Sequence, residues 1–431
     1  MTATPESMLD VPEWAKPEAF PKAPGGWGWV DLKRRHHPCA TLEVLVQAIQ
    51  NDRAAELSLV WTPQGEWMVL PEEIPELGES LRTARKQWAS DDLAESFHRL
   101  RWFGIILLGC VGLALYRGFA LAAEMATQAG TDVDLWVRLK FGLRAILASG
   151  NSGIALLMFV IFAFIPWYQA RKRRSELSTW SASGIAASVP TLRMETWLDC
   201  QKAPVTKVLL ALIGCVAVAQ LLAPSHGEAR GSWFAIFQNW GGISQAGLVK
   251  SSYFQGEWWR LFTAPLMHGN IVHLLMNGSA MLYLGKRLEV LARWPHLVLV
   301  FLFSASAGGI ASAHLVTATS VGASGGLMGW LGFLLVFETL HHELVPLRSR
   351  KRLAAGVFVT ALIGLVGYRF IDNAAHVGGL LAGMTYALVV FPRSSSGKRP
   401  SSTLLDRLAG SAALLAIVLA AAAAFFKILE S

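Results

Sequence analysis

Charged residues are scarce in this chain of 431 residues: 16% are Asp, Glu, Lys or Arg, whereas 53% are apolar. A typical soluble domain carries about 25% charged residues, so the composition argues against an ordinary soluble enzyme, a disordered chain or a coiled coil. Cysteine is also rare, and the four cysteines are far apart, which argues against a disulfide framework or a zinc site. The chain is instead rich in apolar blocks of about 20 residues, the length that a helix needs to cross a bilayer.

Nine apolar segments predict nine membrane-spanning helices, because backbone polar groups inside lipid must be hydrogen-bonded within their own segment. The predicted spans are 103–123, 145–168, 205–223, 262–284, 297–316, 323–339, 353–370, 374–391 and 408–426. Alternate loops are rich in Lys and Arg, and the positive-inside rule places these loops and the N-terminus in the cytoplasm. The exceptions are Arg138, Lys140 and Arg144, which fall in a predicted outer loop.

The basic loops also account for the formal net charge of +8, so no nucleic-acid partner is predicted. We expect an integral, multi-pass protein of a bacterial inner membrane, surrounded by the lipid bilayer. The oligomeric state does not follow from the sequence.

Four regions are predicted along the chain. Residues 1–100 form a cytoplasmic region with a small soluble α/β module, in which 57–61 and 67–70 have the pattern of a β-hairpin. Residues 101–200 hold a two-span hairpin and a basic linker, residues 201–393 hold six spans, and residues 394–431 hold a linker and the last span. An outer loop at 225–260, rich in Trp and Gly, is predicted to lie in the membrane interface.

Polar side chains in spans are costly and usually face an interior cavity. His273 and Asn277 are four residues apart, so they share one helix face. Ser324 stands among glycines at the outer start of the sixth span, and His376 stands at the outer start of the eighth. Each feature alone also fits close helix packing or a hydrogen bond between helices.

Together these residues have the composition of a nucleophilic site. A histidine that takes the proton of a serine hydroxyl is the minimum for nucleophilic catalysis, and the predicted topology places Ser324 and His376 at one depth. Asn277, His273 and the Ser324 amide are candidate donors to an oxyanion. Asp372, about one turn before His376, is interpreted as a helix cap or a loop residue, so the site is a Ser–His dyad.

Four motifs stand in a fixed order over about 207–392. They are Gly256-Glu257-Trp258-Trp259-Arg260-Leu261-Phe262-Thr263, then His268 with His273-Leu274-Leu275-Met276-Asn277, then Gly322-Ala323-Ser324-Gly325, and finally Asp372-Asn373-Ala374-Ala375-His376-Val377-Gly378-Gly379. In this combination the sequence resembles the rhomboid family of intramembrane serine proteases. The resemblance implies an all-α polytopic fold with a six-helix catalytic core, to which this chain adds two spans before the core and one after it.

The resemblance also implies roles for single residues. Ser324 would be the nucleophile, His376 the general base, and Asn277 and His273 the oxyanion stabilisers. Structural roles near the site would belong to Trp259, Arg260, His268, Gly322, Gly325, Gly379 and Gly383. Family members usually carry an aromatic residue four positions after the serine, packed on the histidine, and this chain has Met328 there.

The leading hypothesis is an endopeptidase that cleaves single-span membrane proteins near the outer membrane boundary, with no metal or cofactor. A catalytically inactive rhomboid-like adaptor that only binds transmembrane helices is an alternative. A transporter is a weaker one, because the sequence has no paired repeats or broken midplane helices. A zinc protease would need H-E-x-x-H, and the nearest match, His342-Glu343-Leu344-Val345-Pro346, lacks the second histidine.

Overall fold

The computed structural model describes residues 11–51, 57–130, 134–223 and 240–430. Residues 225–239 of the predicted interface loop at 225–260 lie outside the described residues. The chain divides into two compact units. One comprises residues 20–192 and 358–371, and the other comprises residues 11–19, 193–357 and 372–430.

The first unit begins with the elements β1 (Trp27–Asp31), β2 (His36–Cys39), α1 (Leu42–Asn51) and β3 (Leu57–Trp61). The three strands form an antiparallel sheet in the order β2-β1-β3. The predicted soluble α/β module is therefore present. The predicted hairpin is reduced to a single bridge between Val60 and Val69, and the longer ladder of β3 is formed with β1.

A continuous helix of 52 residues, α2 (Gly78–Ala129), carries the first predicted span. At about 1.5 Å per residue, α2 is about 78 Å long. Leu81 and Ala84 in its first turns join Leu45, Ile49 and Val60 in the buried core of the sheet module. The same helix therefore completes the core of the sheet module and is long and apolar enough to cross a membrane.

Three helices follow α2: α3 (Leu135–Ala148), α4 (Gly150–Ser178) and α5 (Ala182–Cys200). The prediction of a span beginning at residue 145 was wrong at its start, since a break at Ser149 separates α3 from α4. The Ser149 hydroxyl accepts a hydrogen bond from the Ser152 amide at 3.2 Å and so caps α4.

Seven longer helices make up most of the second unit: α6 (Pro204–Leu222), α7 (Ile271–Ala280), α8 (Trp294–Leu315), α9 (Ser324–Leu340), α10 (Leu347–Val366), α11 (Asn373–Val390) and α12 (Leu404–Leu429). Helix α7 continues through a π-helical stretch, Met281–Gly285, into Lys286–Ala292. Residues 358–366 of α10 belong to the first unit.

The predicted span 262–284 was wrong at both ends. A short 3-10 turn containing Pro265 interrupts the apolar run, and Asn270 begins α7 by accepting a hydrogen bond from the His273 amide at 2.9 Å. The helical segments then extend to Ala292.

Among the described residues, six helices are long and apolar enough to cross a membrane: α2, α4, α6, α8, α11 and α12. Helix α9 is apolar and shorter, with 17 residues. The other two predicted spans lie on α7 and α10. The prediction of an all-α polytopic membrane protein with a small α/β module is confirmed.

Helices α9 and α11 touch through glycines. A Cβ atom at Gly379 would lie 2.0 Å from the carbonyl oxygen of Gly325, and one at Gly383 would lie 1.9 Å from that of Gly329. Helix α8 joins them, because a Cβ at Gly308 would lie 2.5 Å from the Ala375 carbonyl oxygen. Small residues let helices in lipid approach to backbone contact, so these glycines fix the spacing of α8, α9 and α11.

We expect Gly383→Ala to destabilise the protein by about 1–3 kcal/mol, because the added methyl group must push α9 and α11 apart. Gly214→Ala on α6 is the matched control, since a Cβ there meets nothing within 4 Å. The measurement is the midpoint of thermal unfolding of both variants in detergent. Equal midpoints for the two variants would contradict the proposed role of the glycine contact.

Candidate active site

Ser324 is the first residue of α9, and the loop before it is held in an unusual conformation. Gly322 has φ of 120°, a value that favours glycine, and its amide donates to the Ala264 carbonyl at 3.0 Å. A Cβ at Gly322 would also lie 2.7 Å from Cε1 of His273 and 3.4 Å from Nδ2 of Asn277. Gly322 therefore lets the serine loop contact both candidate oxyanion donors.

His376 is the fourth residue of α11, one turn before Gly379. Because Gly379 contacts Gly325, Ser324 and His376 lie near the N-terminal ends of two touching helices. The hydrogen bonds found around the site in the described residues do not include one between the Ser324 hydroxyl and the His376 ring. Catalytic hydrogen bonds are often long without substrate and shorten in the complex.

His268 organises the other side of the site. It is fully buried, and its Nε2 accepts a hydrogen bond from Nδ2 of Asn277 at 3.0 Å. The Gln220 side chain on α6 bonds both the amide and the carbonyl of His268, each at 2.9 Å. The His268 ring meets the His273 ring edge to face at 5.1 Å. Burial, together with His273, lowers the pKa of His268 to about 3, which keeps the ring neutral.

A small cavity of about 40 Å³ adjoins Ser324. Gly322, Gly325, Asp372 and Ala375 also line it. One water needs roughly 10–15 Å³ of such volume, so the cavity has room for a few water molecules.

Sequence reasoning missed a partly buried polar network at the start of α11. The Asp372 carboxylate caps the helix by accepting from the Ala375 amide at 2.9 Å, as predicted. It also accepts from the hydroxyls of Ser312 and Ser320. Lys250 donates to these two hydroxyls, each at 2.7 Å, so an ammonium group and a carboxylate are joined through two serines.

A lone Lys in an aromatic outer loop, far from any predicted basic loop, was the one available signal for this network. Ser312 carries no such signal, because serines in apolar helices are common packing residues. Ser320 carries none either, because it lies in a connecting segment between two helices.

The other predicted structural residues lie in the outer loop and on α9. Arg260 is buried and donates to the carbonyls of Ser244 and Gly247 at 3.0 and 2.7 Å, which holds the loop backbone. Its guanidinium lies over the Trp259 ring at 4.7 Å. Met328 is partly buried, one turn after Ser324.

Comparison with known proteins finds a similarity that covers the part of the chain containing the candidate active site. The Rhomboid domain model matches residues 255–393. RHOMBOID-like protein 6, mitochondrial, of Arabidopsis thaliana is 37% identical over 145 residues, which cover 33% of this chain and 46% of that protein. Rhomboid protease GluP of Bacillus subtilis (strain 168) is 35% identical over 157 residues, covering 35% of this chain and 30% of that protein.

A third relative, Inactive rhomboid protein 1 of Papio anubis, is 30% identical over 145 residues, covering 33% of this chain and 17% of that protein. The matched stretch is thus less than half the length of each of these three relatives. The matched domain lies on a polytopic helical membrane protein. Over residues 255–393 this chain is therefore similar to rhomboid proteins.

The partly buried network generates a prediction about pH. Burial lowers the pKa of Lys250 from 10.5 to about 8, although the attraction of Asp372 acts in the opposite direction. Between pH 8 and pH 10.5 Lys250 is protonated in the unfolded state and deprotonated in the folded state. The free energy of unfolding should therefore rise with pH over this range. We expect thermal unfolding midpoints measured from pH 7.5 to 10.5 to show this rise.

Lys250→Met should flatten the rise, whereas Lys398→Met, at an exposed position, should keep the wild-type profile. A wild-type profile in Lys250→Met would show that the Lys250 ammonium group bears no burial cost.

Proposed function

We propose that this chain is an intramembrane serine endopeptidase in which Ser324 is the nucleophile and His376 the general base. The observation that carries the proposal is the Gly379–Gly325 contact, which joins the helix starts that bear the two residues. The name of the Bacillus relative, a rhomboid protease, supports the same activity.

In the proposed reaction, His376 takes the hydroxyl proton as Ser324 attacks a substrate carbonyl. The oxyanion is stabilised by the Ser324 amide, at the positive end of α9, and by the side chains of Asn277 and His273. His376 then gives the proton to the leaving amine. Water from the cavity beside Ser324 hydrolyses the acyl-enzyme, again with His376 as the base, and this step frees the serine.

The site is proposed to work as a dyad. The Asp372 carboxylate bonds the Ala375 amide and the hydroxyls of Ser312 and Ser320. These contacts support a role in holding the first turn of α11, and with it His376.

The proposed substrates are the transmembrane segments of single-span membrane proteins. A helix in lipid bonds its own carbonyls, so a substrate must unwind locally before Ser324 can attack. Gly and Pro reduce helix stability by about 1 and 3 kcal/mol relative to Ala, which favours spans that contain them. Cleavage near the outer boundary follows from the predicted topology, with a cytoplasmic N-terminus in a bacterial inner membrane.

The second candidate is a catalytically inactive adaptor that binds transmembrane helices. An inactive rhomboid protein matches this chain over 145 residues, and Met328 stands where an aromatic residue is usual in the family. This candidate differs from the protease in one measurable property, the reactivity of Ser324.

We expect the purified full-length protein to react with a fluorophosphonate probe and to cleave a model substrate span containing Gly or Pro. Ser324→Ala should abolish both activities, because the nucleophile is lost, and His376→Ala should reduce both to background. Ser279→Ala is the matched control, since the Ser279 hydroxyl bonds its own helix at the Leu275 carbonyl. An unreactive, folded wild type would favour the adaptor, and labelling that survives Ser324→Ala would refute the proposed nucleophile.

Asn277→Ala should lower kcat by about 10²–10³, the usual cost of losing one oxyanion donor, with little change in KM. The measurement is steady-state cleavage of the same substrate in detergent. Thermal unfolding is followed in parallel, because the substitution also removes the hydrogen bond to His268. A raised KM with unchanged kcat would mean that Asn277 contributes to substrate binding rather than to the transition state.

A further inference from the structure

A larger cavity, of about 580 Å³, lies at the other end of α8 from the Ser324 loop. The 22 residues of α8 separate the two ends by about 33 Å. Four basic side chains, Lys202, Arg293, Arg399 and Arg407, line this cavity together with the hydroxyl residues Ser401 and Ser402. Its chemistry is therefore independent of the proposed protease site.

The carboxylates near this basic cavity are already engaged. Glu289, which also lines it, accepts hydrogen bonds from the Val205 and Thr206 amides at 3.0 and 2.8 Å and so caps α6. Glu13 pairs with Arg399 at 3.0 and 2.5 Å. Within the described ranges, no acidic side chain forms an ion pair with Lys202, Arg293 or Arg407. The basic cavity therefore carries an excess of positive charge.

Two features of Arg293 are energetically unfavourable: its backbone conformation and its proximity to a second arginine. Its φ is 77°, in the region that favours glycine, and its Nε donates to the Pro400 carbonyl at 3.1 Å. Burial and the neighbouring Arg399 lower the pKa of Arg293. Backbone strain is concentrated at functional sites of proteins, and a bound anion would offset the repulsion between Arg293 and Arg399.

The position of the basic cavity limits what can reach it. Three helices that can cross a membrane, α6, α8 and α12, begin at its edge, at Pro204, Trp294 and Leu404. The basic cavity thus lies at the boundary between lipid and water. The N-terminal ends of these helices add partial positive charge on the same side.

We propose that the basic cavity binds a phosphate group, carried either by the headgroup of an anionic phospholipid or by a free phosphate compound. Arg and Lys recognise phosphate through charge-assisted hydrogen bonds, and basic pockets between transmembrane helices are typical of lipid headgroup sites. The volume exceeds that of a phosphate ion and falls in the range of about 300–1,000 Å³ usual for small-molecule sites.

The test uses the full-length protein and two double variants that remove the same charge. Lys202→Gln/Arg407→Gln changes two exposed residues that line the basic cavity. Arg393→Gln/Lys398→Gln is the matched control, with the same residue types at exposed positions that do not line it. Arg293 and Arg399 are left intact because they also hold the backbone.

Two sets of conditions distinguish the two sources of phosphate. In nanodiscs of phosphatidylcholine, the thermal unfolding midpoint is titrated with inorganic phosphate at constant ionic strength. In phosphate-free buffer, the midpoint and the lipids retained in native mass spectrometry are compared between nanodiscs with and without phosphatidylglycerol.

We expect stabilisation of the wild type in at least one set, with an apparent affinity about tenfold or more weaker in the cavity variant and unchanged in the control. Stabilisation by phosphatidylglycerol alone identifies a lipid headgroup, and stabilisation by inorganic phosphate identifies a free phosphate compound. The proposal is overturned if neither stabilises the wild type, or if both double variants weaken the effect equally.

Discussion

The backbone contact between α9 and α11 is the constraint on which the candidate site depends. In lipid, apolar side chains gain little by leaving the bilayer for a neighbouring helix, so close packing must hold the helices together. Four glycines, Gly325, Gly329, Gly379 and Gly383, supply that packing, although each lowers intrinsic helix stability by about 1 kcal/mol relative to Ala. The first pair lies one residue from Ser324 and one turn from His376. The spacing of α9 and α11 therefore determines how Ser324 and His376 are placed relative to each other.

Much of the fold could be predicted because the membrane imposes a simple rule on sequence. An apolar segment of about 20 residues in a membrane has to be helical, and each predicted span overlaps a helix, although 145–168 and 262–284 each contain a break. The error at 262–284 has a local cause: Pro265 and the Asn270 cap interrupt an apolar run that hydropathy cannot divide. The Ser324 and His376 motifs were visible because polar residues flanked by glycines are unusual in spans, whereas their separation in space depends on packing that no local pattern encodes.

The polar network at Asp372 shows what sequence reasoning could not reach. Lys250 begins a short helix, Lys250–Phe254, whereas Ser312 lies on α8 and Ser320 in the segment before α9, so the three meet only after these elements have packed. Each hydroxyl bonds both the ammonium and the carboxylate, so the two charges are shielded from the apolar surroundings without direct contact. The same residues that cap α11 thereby connect it to the outer loop that Arg260 stabilises.

The length of α2 has a mechanical consequence. Its first turns are part of the core of the sheet module, and its later turns cross the membrane, with no proline between them. Proline is a usual cause of sharp kinks in helices, so its absence from α2 favours a continuous helical connection between the module and the span. Any partner that rotated the sheet about the helix axis would rotate the lipid-facing side of the span by a similar angle. Binding of a soluble partner to the sheet module would then turn the span within the bilayer without changing its secondary structure.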